Sequence, residues 1–187
     1  MKIKCTLLVI TFCLLMMSAC VKDHIFIPNN NNTSGKPNPT DTVIKLYLNE
    51  FLASNNTISV PGYTYFPDWI EIYNAGSQDV NLAGYYITDD LTNREKYRIP
   101  SGSASTIIKA KAYLIILADD SVALGPLHAN FSLSKSGESI GLYNPSKVGI
   151  DSITYTIQTT DKTFGRLPNG NGNWQECTVP SPNVANN

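Results

Sequence analysis

The sequence predicts an all-β domain of the sandwich or barrel class, and three observations carry that prediction. Apolar and polar residues alternate at a period of two, as in Ile44, Leu46 and Leu48 against Lys45, Tyr47 and Asn49, which is the pattern of a strand with one buried face. Clusters of Asn, Asp, Gly, Ser and Pro separate such runs at near-regular spacing, as short turn-linked strands require. No stretch sustains a helical period with capping residues at its ends.

The N-terminus has a different character. Lys2 and Lys4 precede an apolar stretch from Thr6 to Met17, and Ser18-Ala19-Cys20 follows it. Twelve residues fall short of the roughly 20 that a helix needs to cross a bilayer, so residues 1–19 read as a cleaved lipoprotein signal peptide and Cys20 as the site of lipid attachment. Residues 20–41 carry Pro28, Pro37, Pro39, Gly35 and the run Asn29 to Asn32, the composition of a disordered tether. Extended, it would span about 65–70 Å; as a flexible coil, nearer 25 Å. Lys22-Asp23 directly after the cysteine resembles the charged signals of surface-exposed outer-membrane lipoproteins, with the periplasmic face as the alternative location.

The sandwich is expected over residues 42–180, with 181–187 as a disordered tail. Ile70 and Ile72 alternate with Trp69, Glu71 and Tyr73, and further β-rich runs cover 85–88, 96–99, 113–118, 139–143 and 150–155. Tyr113 to Ala118 is apolar on both faces, which predicts a central strand. Pro100 and Pro145 mark strand ends, because proline cannot donate to a ladder. Asn169-Gly170 and Asn171-Gly172 are turn dipeptides.

Composition narrows the class of function. A chain with 42% hydrophobic and 16% charged residues can bury a core and is not a disordered polymer. Without Lys2 and Lys4, 12 of the 14 basic residues remain against 15 acidic ones, near net −3, a poor footprint for nucleic acid. Cys5 and Cys13 leave with the signal and Cys20 is lipidated, so Cys177 has no partner within the chain and reads as a small apolar side chain.

Seven segments in order, LYLNEFLASN (46–55), DWIEIYNAG (68–76), LAGYYITDD (82–90), YRIPSG (97–102), FSLSKSGESIGLYN (131–144), GIDSITY (149–155) and TFGRLPNGNGNW (163–174), resemble the lamin-tail domain of bacterial secreted proteins. The resemblance implies an immunoglobulin-like β-sandwich with no known catalytic position. It implies a non-catalytic binding or scaffolding module of the cell envelope. One alternative is a carbohydrate-binding surface lipoprotein; another is an accessory domain of an extracytoplasmic nuclease or other hydrolase system.

Few residues offer chemistry. His24 lies in the tether and His128 in the loop GPLHAN, too few imidazoles for a histidine zinc site. Asp89-Asp90 and Asp119-Asp120 follow strands and could bind calcium or serve glycoside hydrolysis, but acids at strand ends are ordinary turn chemistry. No metal, cofactor or catalytic residue is expected. The candidate ligand contacts are Tyr63, Tyr65, Phe66 and Trp69 in PGYTYFPDW (61–69), where aromatic rings flanked by prolines offer rigid contact area to a glycan or an envelope protein; in the structural alternative they cap one end of the sandwich. Arg166 is expected to pair with Glu50 or Glu71 as a fold clamp.

Overall fold

The computed structural model describes residues 44–187; the signal, Cys20 and the tether lie outside the described residues. The fold is an all-β, immunoglobulin-like sandwich of two main antiparallel sheets. Its strands are β1 (Leu46–Leu52), β2 (Asp68–Asn74), β3 (Val80–Asn81), β4 (Tyr86–Thr88), β5 (Tyr97–Arg98), β6 (Ile107–Ile108), β7 (Tyr113–Ala118), β8 (Glu138–Tyr143), β9 (Gly149–Tyr155), β10 (Thr163–Leu167) and β11 (Asn173–Cys177). One sheet has the order β11-β10-β1-β2-β7, the other β5-β4-β8-β9, and β3 pairs with β6.

The inward faces of the two sheets meet in one core. Leu46, Leu48, Phe51, Ile70, Ile72 and Ile116 come from the five-stranded sheet, and Ile87, Ile140, Leu142 and Tyr155 from the other. A β-bulge between Leu48 and Glu50 gives β1 an extra residue, Asn49. That insertion reverses the alternation, so Phe51 enters the core while Glu50 and Leu52 share the outer face with Tyr47. Gly137, at φ +108, makes the turn into β8; a Cβ there would lie 2.8 Å from the Tyr155 carbonyl oxygen.

The outer face of the five-stranded sheet is built in three rungs. Tyr47, Tyr73 and Tyr113 pair in register at one end, Glu50, Glu71 and Ile115 in the middle, and Leu52, Trp69 and Leu117 at the other end. The last rung is sealed by Val60, with Ile58 and Tyr63 against it.

This arrangement corrects two expectations. The strand at 113–118, expected to be central, is the edge strand β7. It is apolar on both faces because the 58–63 segment covers its outward side chains, and Leu117 exchanges backbone bonds with Leu127 and Ala129 at 2.7 and 2.8 Å. Residues 181–187, expected to be a disordered tail, pack on the outer face of the sheet, where Ser181 and Asn186 are buried. Their Ser and Asn side chains and amides satisfy polar groups that the bulge and the glutamate rung leave facing outward.

Candidate functional site

The segment joining β1 to β2 is held by side-chain bonds to its backbone. Asn55 Nδ2 donates to the carbonyls of Ile58 and Pro67 at 2.9 and 2.8 Å, and Asn55 Oδ1 accepts from Ile58 N at 2.9 Å. Asp161 accepts from Asn56 N, Thr57 N and Thr57 Oγ1 at 2.7, 3.1 and 2.8 Å. Asp68 accepts from Asn55 N at 2.9 Å, and burial pushes its carboxyl up to about 6. A loop fixed in this way loses little further entropy when something binds it.

The four candidate rings divide between two roles. Trp69 is fully buried in the outer cluster with Leu52 and Leu117, which removes it from the ligand contacts and makes it the floor of the loop. Tyr63 is half-buried and packs edge-on against Tyr65 and His128, with centroids 6.0 and 5.6 Å away. Tyr65 and Phe66 are 39% and 45% exposed.

Behind them stands Asp119, whose Oδ2 accepts from the Tyr65 hydroxyl at 2.6 Å and meets His128 Nδ1 at 2.9 Å. An ionised Asp119 makes Nδ1 the protonated nitrogen of the ring. Burial and the adjacent Asp119 raise the phenol pKa of both Tyr65 and Tyr63, so both hydroxyls stay neutral. Asp119, held by His128, pins Tyr65.

Sequence reasoning missed two neighbours. Val122 and Leu124 sit in a 3-10 turn just after Asp119 and are 51% and 64% exposed. The apolar residues of SVALGP between turn formers were the available signal. Asp89 faces Lys96 at 2.6 Å, and Asp90 accepts from Thr92 N at 2.9 Å. Among the described residues no group of three or more His, Cys, Asp or Glu is arranged to hold a metal ion.

The family model described as Lamin Tail Domain matches residues 39–156. The chain belongs to the lamin tail domain family. No curated protein and no solved structure matches it. Lamin tail domains are generally non-catalytic immunoglobulin-like modules.

In this lamin tail domain, β10, β11 and the closing C-terminal segment lie beyond the matched residues, yet β10 pairs directly with β1. Arg166 on β10 does not pair with Glu50 or Glu71, because alternation turns it to the inner side of the sheet while they face outward. It donates to both oxygens of Asp151 at 2.9 and 3.0 Å and to the Leu48 carbonyl at 2.9 Å, and stacks over Trp174 at 4.7 Å. Glu50 and Glu71 are met by the C-terminal segment instead. Cys177 is buried and, among the described residues, forms no disulfide.

Proposed function

We propose that this lamin tail domain is a lipid-anchored, non-catalytic binding module of the cell envelope, held through Cys20 at the outer membrane and displayed at the cell surface. Its contact surface is the end of the sandwich that carries Tyr65 and Phe66, together with Val122 and Leu124 in the turn that follows Asp119.

The observation that carries this reading is the polarity of β1. The chain N-terminal to Ile44 joins the domain at the tyrosine rung, whereas the loop after Leu52 lies at the opposite end of β1, about 20 Å away. The exposed rings thus lie at the end of β1 away from the point where the N-terminal chain enters the domain. Exposed aromatic rings on a fixed loop suit recognition, since they supply contact area at small entropic cost. A cleft of about 580 Å³ beside Ile44, Asn74 and Lys111 lies at the other end of β1.

Photo-crosslinking on intact cells tests the proposal. A photoreactive residue at Phe66 or Leu124 should give a discrete protein or glycan adduct that the same probe at Val148 does not. Equal labelling from all three positions, or none from 66 and 124, would overturn it.

A further inference from the structure

Glu50 and Glu71 stand opposite each other in register on β1 and β2, and both are fully buried. What covers them is the chain's own C-terminal segment. Ser181 N donates to Glu50 Oε1 at 3.2 Å and Asn183 N to Glu71 Oε2 at 2.7 Å. Asn186 Nδ2 donates to the carbonyls of Asn49 and Arg166 at 3.1 and 3.0 Å, and Asn186 N donates to Asn169 Oδ1 at 3.0 Å. Asn49 Nδ2, from the bulge, supplies Glu71 Oε1 at 2.9 Å.

The hydrogen bonds locate a proton. Ser181 Oγ lies 2.8 Å from Glu50 Oε2 and 3.0 Å from Asn186 Oδ1. The two carbonyls bound by Asn186 Nδ2 fix the orientation of that amide, so Oδ1 is an acceptor only. One hydroxyl proton cannot serve two acceptors. The contacts are all satisfied when Glu50 is a carboxylic acid that donates to Ser181 Oγ, which in turn donates to Asn186. If Glu50 ionises, Ser181 faces one acceptor too many, and two adjacent buried carboxylates repel without a cation between them.

We propose that residues 181–186 form a strap governed by pH, closed over the sheet while the Glu50–Glu71 pair holds a proton and released as that pair ionises. Burial pushes both carboxyls above their ordinary values, Glu71 to about 8, and two sites this close titrate as a pair. The groups around the pair do not offset its charge. β11 contributes the Cys177 thiol, which burial and Glu50 push up; β10 contributes the Thr163 hydroxyl; and β7 contributes Tyr113, raised by burial, Tyr73 and Glu71. Lys162 reaches the Thr178 carbonyl at the root of the strap, at 3.4 Å.

The direction follows from linkage. Opening the strap hydrates the pair and returns it to ordinary carboxyl behaviour, so the open state gains from ionisation at a lower pH than the closed state. Opening becomes more favourable, by up to about tenfold per pH unit for the proton held, from roughly pH 4.5 upward until the closed pair loses it. Above that it levels off.

Amide hydrogen exchange on the protein, read at Ser181, Asn183 and Asn186 and corrected for intrinsic rates, tests the strap. Protection should fall at least tenfold between pH 5 and pH 8. Glu50→Gln keeps every bond in the arrangement, with its amide donating to Ser181 Oγ, and should leave the strap at least tenfold better protected than wild type at pH 8. Unchanged wild-type protection across this range, or the same fall in Glu50→Gln, would overturn the proposal. Should the variant not fold, the wild-type side-chain carboxyl resonances decide: a midpoint above pH 6 for either glutamate supports the strap, and titration of both below pH 5 refutes it.

Discussion

Arg166 and Asp151 join the two sheets of the sandwich through a two-pronged ion pair, with Nη2 2.9 and 3.0 Å from the two carboxylate oxygens. Arg166 belongs to β10 of the five-stranded sheet and Asp151 to β9 of the four-stranded one. Asp151 Oδ2 also accepts from Leu48 N at 3.0 Å, so one carboxylate ties together β1, β9 and β10. Burial outweighs the pull of Arg166 and leaves the Asp151 carboxyl above its ordinary value.

Breaking one side of this clamp should cost more than removing both. Asp151→Ala leaves Arg166 largely buried without its anion and should lower stability by about 3 kcal/mol or more, whereas replacing both residues by Leu and Met should cost less. A double-mutant cycle in urea measures the coupling. Simple additivity of the two single changes would show that the pair does not act as a clamp.

The loop rings should separate by stability. Trp69→Ala removes a fully buried indole and should cost about 3–5 kcal/mol. The double change Tyr65→Ala with Phe66→Ala, at exposed positions, should cost under about 2 kcal/mol. Urea midpoints compare them directly. A loss for the double variant as large as that for Trp69→Ala would mean that Tyr65 and Phe66 belong to the core.

Removing the chain after Thr178 should destabilise the domain by about 3 kcal/mol or more, since several buried hydrogen bonds go together. It should also flatten the pH dependence. In the full chain, Glu50, Glu71 and Asp68 have raised values when folded, so their contribution is complete below about pH 4 and is lost as pH rises, through about 6 for Asp68 and about 8 for Glu71. Full-length protein should therefore be more stable at pH 5 than at pH 8, and the shortened chain should show a smaller difference. Thermal unfolding at the two pH values checks both.

Cys20→Ser should move the protein from the membrane fraction to the soluble one, because stable anchoring requires the acyl chains. Detergent-dependent membrane association that survives the substitution would refute lipid attachment at this cysteine.

The alternation of Ile70 and Ile72 with Trp69, Glu71 and Tyr73 was legible because both isoleucines of β2 meet the same core. β1 was legible only as far as Leu48, since the bulge at Asn49 leaves no clear trace in composition yet reverses the face of every residue after it. The candidate site was legible as a cluster of aromatic residues. What burial took from it, Trp69, and what adjacency added, Val122 and Leu124, were not.

The sequence by itself determined an all-β domain of the sandwich or barrel class and the aromatic character of the loop, because period, turn chemistry and residue size act over a few neighbouring positions. Only the tertiary structure decided that Arg166 meets Asp151 rather than Glu50 or Glu71, that β7 lies at an edge, and that Ser181, Asn183 and Asn186 close over two buried glutamates. Each of these depends on groups that lie far apart in the chain. Their partners are set by which face and which sheet a side chain occupies, and desolvation then decides which contacts must be made.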